Sequence, residues 1–350
     1  MKIIVDVMSG DNAPLEMLKG TVLAASELSD HSFILVGKKE VIEKTAEENQ
    51  LDISAMEIVN ADEIVTMEDD PIAVVRGKKN SSMMTALSLL SEGRGDALVC
   101  AGNTGALFTG ASLIVRKMKG VQRAAIASVL PFKPPVLLLD SGANLVINDE
   151  VMEQFAYMGS AYMKKMYGIE SPRVGILNNG EEECKGLDLQ ITSYKRLKAN
   201  TDLNFVGNVE ANKLTKNACD VIVTDGFTGN ILLKNVEGMG KMMLGLMKDL
   251  FYKTFFTKLA ALMVKKHLGG IKKDFDPAEH GGAPILGITK PVIKAHGSSN
   301  ARAFRSAIHQ AVTYASSGVM ADIEKDSLRM YEKKKAEKAE KRAETAEAAE

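Results

Sequence analysis

Five times along this chain a short run of Val, Ile, Leu and similar residues ends in a turn rich in Gly, Asn, Asp and Ser and passes into a helical stretch. Ile3-Ile4-Val5 precedes the turn at 6–14, Ala97-Leu98-Val99-Cys100 the turn at 101–105, and Val136-Leu137-Leu138-Leu139 the turn at 140–144. Val174-Gly175-Ile176-Leu177 precedes 178–181, and Val221-Ile222-Val223 precedes 224–230. Runs this short and continuously apolar read as strands buried on both faces. Their alternation with helices predicts α/β architecture, a three-layer α/β/α sandwich around a mostly parallel sheet. Ligands of such sheets bind beyond the carboxyl ends of the strands. All five turns fall at carboxyl ends, which predicts one shared crevice lined by Gly-rich backbone.

The 350 residues suit about two lobes, and 45% hydrophobic with 25% charged residues is ordinary for a large core. A net charge of -1 gives no global attraction for nucleic acid. Cys100, Cys184 and Cys219 are far apart with no C-x-x-C, which argues for a reducing compartment and against a disulfide framework or zinc site. Asp6 cuts off the first apolar run, so no signal peptide is expected, and no run reaches the ~18 apolar residues of a spanning helix. The expected location is cytoplasmic, with at most peripheral contact on the inner face of the membrane.

Residues 236–274 break the rhythm. Met239, Met242, Met243, Leu246, Met247, Leu250 and Phe251 form a stripe at helical spacing, and Phe255, Phe256, Leu259, Leu262 and Met263 form a second. Eight lysines (241, 248, 253, 258, 265, 266, 272 and 273) accompany them. An ordinary pair of core helices would show such stripes. A basic hairpin with an aromatic tip also suits a dimer contact or an anionic lipid interface, which is the reading preferred for Phe251, Phe255, Phe256 and Leu259. Residues 1–235 and 275–322 then form the catalytic core, and 323–350 a charged, solvated tail.

A helix N-terminus presents unsatisfied N–H groups and the positive end of a dipole, so Gly-rich turns that open helices attract anions. Gly102-Asn103-Thr104-Gly105 has that form, as does Gly297-Ser298-Ser299-Asn300. Ser81 follows Arg76, Lys78 and Lys79 and offers a hydroxyl beside cations, or simply a helix cap. No G-x-G-x-x-G follows a strand, and Ala111 stands where a P-loop needs Lys, so dinucleotide and nucleoside triphosphate binding are not indicated. Lys185 is either a catalytic cation or a charge partner for Glu181, Glu182 and Glu183. His296 precedes a helix start, where a neutral imidazole is favoured. No Cys/His cluster suggests a metal, and no cofactor is expected.

Residues 6–14, 102–106, 140–144, 178–186, 207–210, 225–230 and 294–297 together resemble the bacterial acyl-ACP:phosphate acyltransferase family of phospholipid synthesis. Departures are Val7 and Ser9 in the first turn, Ser141 and Asn212. The resemblance covers residues 1–320 and implies a fold related to phosphotransacetylases and isopropylmalate-type dehydrogenases. It further implies a homodimer, peripheral membrane association, and transfer of a fatty acyl group from acyl carrier protein to inorganic phosphate.

Phosphate is already anionic at neutral pH and needs orientation and desolvation more than a base. The expected site places phosphate and the developing oxyanion on Gly102, Asn103, Thr104, Gly105 and on Asp225, Gly226, Gly229, Asn230. Their backbone N–H groups and the amides of Asn103 and Asn230 are the expected donors, with Asp140, Asn144 and Ser81 beside them. His296 or Lys185 serves as acid or anion clamp. The lysines of the hairpin dock acidic acyl carrier protein or meet lipid. Alternatives are a phosphotransacetylase acting on a short acyl-CoA, a metal- and NAD-dependent hydroxyacid dehydrogenase, and a non-catalytic membrane-surface adaptor.

Overall fold

The computed structural model describes residues 1–259, 261, 263 and 281–347. Among them run β1 (Lys2–Asp6), β2 (Ser32–Gly37), β3 (Glu57–Asn60), β4 (Ala97–Cys100), β5 (Ala125–Leu130) and β6 (Val136–Leu139). β7 (Arg173–Asn178), β8 (Asn204–Glu210), β9 (Val221–Val223), β10 (Ala283–Leu286) and β11 (Val292–Lys294) follow. They form one sheet in the order β3-β2-β1-β4-β11-β10-β5-β6-β9-β7-β8. The helices are α1 (Leu15–Glu27), α2 (Lys39–Glu48), α3 (Pro71–Gly77), α4 (Ser82–Ser91) and α5 (Thr104–Gly110). After them come α6 (Asp149–Tyr167), α7 (Asp188–Lys198), α8 (Gly226–Tyr252), α9 (Ala301–Ser316) and α10 (Val319–Glu347).

Alternate strand residues feed different layers. Ile3, Val5, Leu35, Val99, Leu137, Leu139, Ile176 and Val223 join one continuous core with residues of α1, α6 and α9. The opposite face divides. Ile4, Ile34, Leu98 and Ile126 pack against α4 and α5, while Leu138, Leu177, Val209 and Ile222 pack in a separate cluster with Leu214. Between these two clusters the central strands β5 and β6 are met by α8.

The sheet is mostly parallel, as expected, but its direction reverses at the centre. β11–β10, β10–β5 and β5–β6 are antiparallel, and the remaining pairs are parallel. Three reversals in series leave β6, β9, β7 and β8 pointing opposite to β3, β2, β1, β4 and β11. Their carboxyl ends therefore point in opposite directions along the sheet, so that by strand direction the five turns fall into two groups. β5 ends in Pro131-Phe132-Lys133-Pro134-Pro135 and β10 in a turn with Gly287 alone, so the recurrent motif gives no sign of these reversing strands.

Two expected boundaries also look different. α8 starts at Gly226 and continues unbroken through residue 236 to Tyr252. The charged C-terminal segment begins as a docked helix: Lys334 pairs with Glu150, Lys165 meets Asp322 at 3.5 Å, and Arg329 lies 5.4 Å from the Tyr157 ring centroid. A Cβ on Gly120 would stand 2.4 Å from the Ser327 carbonyl, so this helix sits close against the loop before β5.

Candidate functional site

At the first edge, the turns after β1, β4 and β11 interlock. Asp11 N–H donates to Gly297 O at 2.8 Å, and the Asn12 amide donates to Ser298 O and Ser299 O. Gly10 has φ +112 with Gly297 O 3.1 Å from its would-be Cβ, so both backbone sign and space require glycine there. Beneath lies Asp6, fully buried, accepting from Met8 N–H, Ser9 Oγ (2.5 Å) and Cys100 Sγ (3.2 Å). Burial raises its pKa against the opposing hydrogen bonds of Ser9, Ser82, Cys100 and Met8. The Ser82 hydroxyl leans on this carboxyl but finds no partner of good geometry.

Asn103 corrects the expectation placed on it. Its Oδ1 accepts Ala106 N–H at 3.0 Å, capping α5, and its Nδ2 donates to the carbonyls of Thr66, Met67 and Asp69. Two N–H groups already face three acceptors, so the amide has no donor left for phosphate. Asn103 holds the turn to the loop before α3. Ser81 is likewise committed: it caps α4 through Met84 N–H and donates to Lys78 O at 2.7 Å. Gly102 is buried, with Met83 and Ser9 atoms 2.5–2.8 Å from a would-be Cβ, and Gly105 lies against Pro71. Thr104 begins α5, half-buried.

The turn after β11 carries Lys294 and His296. The His296 side chain is exposed to solvent on one side, and its Nδ1 accepts the Ser298 main-chain N–H at 3.2 Å, with Ser298 Oγ 2.9 Å away. A main-chain N–H can only donate, so Nδ1 holds a lone pair and the neutral ring carries its proton on Nε2. Desolvation lowers the imidazole pKa below its ordinary value. Lys234, Lys294 and Lys241 add to this, and Glu237 opposes it. The ring is therefore neutral at pH 7. Two N–H groups of the helix start behind it are already taken: Ala301 N–H donates to Glu16 Oε2 at 2.7 Å and Ala303 N–H to Asn300 Oδ1.

At the second edge, Asp140 organises the turn after β6. Its carboxylate accepts from the N–H groups of Ile126, Gly142, Ala143 and Asn144 and from Asn144 Nδ2 at 2.8 Å. The Asn144 amide also donates to Ala124 O. Both residues are buried and spent on the turn, so neither faces a ligand as expected. Asp225 caps α8 through Thr228 N–H and Thr228 Oγ1, each 2.8 Å away. Gly226 and Gly229 are required by close packing: a Cβ on the first would meet Asn144 N at 2.7 Å, and on the second Asp140 O at 1.9 Å. Asn230 is exposed beside Gly142, and its side chain makes no protein hydrogen bond among the described residues, so its side-chain amide is a free donor in this group. The buried Thr224 hydroxyl beneath the turn has no partner either.

α8 connects the two groups. It begins at the Asp140 turn, and eight residues later Lys234, paired with Glu237 at 2.8 Å, lies near enough to His296 and Lys294 to disfavour their charged forms. Lys185 is not brought to either centre. It is exposed in the loop after β7, where its carbonyl accepts from Asn178 Nδ2 at 3.0 Å. Lys294, Lys234, Asp6 and Ser9 lie around these turns; 6, 9 and 294 fall in segments that carry the family resemblance, but the sequence alone assigns none of the four a role. The depth of Lys294 has no local signature, because a single Lys beside a turn reads as solvated.

The thiols offer no activated nucleophile. Cys100 and Cys219 are buried, with burial pushing Cys100 well above its ordinary value and Cys219 up to about 12, and Cys184 is exposed with no base bonded to it.

The fold is similar to a phosphotransacetylase from Streptococcus pyogenes, with a TM-score of 0.57 at 16% identity over 90% of this chain and 94% of that one. It is also similar to a branched-chain phosphotransacylase from Enterococcus faecalis V583, with a TM-score of 0.55 at 14% identity over 90% and 99%. In sequence the chain is 42% identical to a phosphate acyltransferase of Clostridioides difficile over 92% of this chain and 95% of that protein. It is 44% identical to one of Fusobacterium nucleatum over 88% and 93%, and 43% to one of Bacillus licheniformis over 93% and 97%. The family described as fatty acid synthesis protein matches residues 1–322, and with relatives this similar over nearly their whole length, the chain belongs to that family of acyltransferases.

Proposed function

We propose that this chain moves a fatty acyl group from acyl carrier protein to inorganic phosphate, giving acyl phosphate for phospholipid synthesis. The observation that carries the reading is the neutral His296, whose only free polar atom is an Nε2–H donor beside the Gly102 turn, with Lys234 and Lys241 nearby. Such a group clamps an anion and does not act as a base. Phosphate fits because it attacks without one. An oxygen of hydrogen phosphate bonds to the thioester carbonyl carbon, the C–S bond breaks, and the proton of hydrogen phosphate ends on the released thiol.

Asn230 supports a second donor near the oxyanion, given its free amide at the start of α8. Lys185 has no comparable support and is read as a surface cation. The core is read as residues 1–235 with 275–322, and residues 236–274 as the contact element. Most of 260–280, including Leu262 and the lysines 265, 266, 272 and 273, lies outside the described residues.

α8 supports a homodimer, because Met239, Met242, Met243, Leu246 and Leu250 are all about half exposed or more along one helix. Phe255 and Phe256, 77% and 80% exposed, support peripheral contact with an anionic membrane. No described helix is long and apolar enough to cross a membrane. The inner, cytoplasmic face is the location that suits the substrates.

Palmitoyl-ACP and phosphate are incubated with the protein and acyl phosphate is trapped as the hydroxamate, with acetyl-CoA in parallel. Trapped long-chain product is expected. Turnover of acetyl-CoA alone would instead favour a short-chain phosphotransacetylase.

A further inference from the structure

Lys294 ends β11 with only 8% of its surface exposed. Its Nζ donates to Ala101 O at 3.1 Å and to Ala295 O, in the turns after β4 and β11. An ammonium has three donors, so one remains, and two carbonyl dipoles do not neutralise a full charge. Among the described residues no carboxylate is within ion-pair distance: Asp11 acts on it only as a weak, more distant charge, and Asp6 is turned to Ser9, Met8 and Cys100. Burying a cation without a counter-charge costs more than such hydrogen bonds return.

The groups around Lys294 suit an anion. His296, two residues on, offers Nε2–H, and α8 brings Lys234. Gly10 and Gly297 add no side chain of their own to the adjoining turns, and the Asp11 carboxylate stands 3.6 Å from the would-be Cβ of Gly297. We propose that Lys294 binds the phosphate substrate, its ammonium serving as counter-ion to a tetrahedral oxyanion held between the Gly102 turn and His296. The inference rests on the acyl-transfer reading only in naming that oxyanion as the attacking phosphate. Burial lowers the Lys294 pKa to about 8, with Lys234 acting in the same direction and Cys100 and Asp11 opposing.

The competing role is structural, with Lys294 only tying the 101 and 295 carbonyls together. Sulfate separates the two, since it stays dianionic from pH 7 to 9.5 while His296 is neutral throughout that range. Sulfate binding to the full-length protein is measured by calorimetry, with phosphate in competition at pH 7. The wild type should lose sulfate affinity as pH rises through about 8, because Lys294 sheds its proton there. Lys294→Met should weaken phosphate and sulfate by ~10-fold or more, the size of one charge-assisted hydrogen bond, and raise the KM for phosphate but not for acyl-ACP. Lys294→Arg should keep sulfate binding above pH 9. Wild-type sulfate affinity that is flat across pH 7 to 9.5, or a Met variant that binds as wild type does, overturns the proposal. Lys294-dependent sulfate binding in a protein that forms no acyl phosphate would sink the reaction and leave the anion site standing. Acyl-phosphate formation with an unchanged phosphate KM in Lys294→Met would do the reverse.

Discussion

Gly229 stands so close to the backbone of Asp140 that a Cβ at position 229 would lie 1.9 Å from the Asp140 carbonyl oxygen. This contact seats the first turn of α8 on the turn after β6, with Asn230 beside Gly142. An alanine there cannot be absorbed by a side-chain rotation, because the opposing atom is backbone.

Gly229→Ala should therefore destabilise the protein by ~1–3 kcal/mol through overpacking, which exceeds the ~0.4–1 kcal/mol that Gly→Ala returns by restricting the unfolded chain. Displacing Asn230 should lower kcat by ~10-fold or more, given how steeply orientation controls rate. Gly245 lies in the same helix with nothing within 4 Å of a would-be Cβ, so Gly245→Ala should stabilise by ~0.5–1 kcal/mol. Thermal unfolding and steady-state rates of the two variants check the contrast. Equal effects at both positions would refute it.

The strands were legible because unbroken runs such as Val136-Leu137-Leu138-Leu139 suit only two-sided burial, and each turned out buried on both faces. Strand direction was not legible. It depends on the short connections between β5 and β6 and between β10 and β11, and Ala125–Leu130 carries a Ser and a weaker apolar run. Asn103 was found but given the wrong task, because a sequence shows that an amide can donate and not that residues 66–69 fold over to accept. Asp140, Asn144 and Asp225 share that history. Their local turn chemistry consumes the polarity that made them candidates. Lys294 was hidden for the opposite reason, since its burial comes from the distant turn at Ala101.

His296 gives a pH prediction with a definite sign. Desolvation and the lysines 234, 294 and 241 lower its pKa, so the neutral ring persists below pH 6.5 before it protonates. An NMR titration should show its midpoint below the ordinary value of about 6.5, with the 15N shifts of the Nε2–H tautomer at pH 7. Protonation keeps Nε2–H and adds charge while it displaces the Ser298 N–H from Nδ1, so anion affinity linked to this group should rise as pH drops through that lowered midpoint. Lys234→Gln removes one of the lowering charges and should move the midpoint up. A wild-type midpoint at or above 6.5 would contradict the lowering by desolvation and the lysines, and the Nδ1–H tautomer would contradict the anion-clamp role.

Phe255 and Phe256 lie with ring centroids 6.0 Å apart in an edge-to-face pair, 77% and 80% exposed beyond the end of α8. Lys253 and Lys258 flank them in sequence, and the proposed membrane contact would pair these two apolar rings with positive charge at an anionic lipid surface. Burying a Phe is worth ~1.5–3 kcal/mol, and even half of that for two rings corresponds to a ~10-fold to 100-fold change in partitioning. Replacing both with Asp should release the protein from phosphatidylglycerol vesicles by that factor and leave its sedimentation coefficient unchanged. Leu246→Asp, on the exposed stripe of α8, should do the opposite, shifting sedimentation toward the monomer while vesicle binding survives. If the double Phe variant floats with vesicles as wild type does, the tip is not the membrane contact. If Leu246→Asp leaves sedimentation unchanged, the stripe does not hold two copies together, and the two surfaces fail independently.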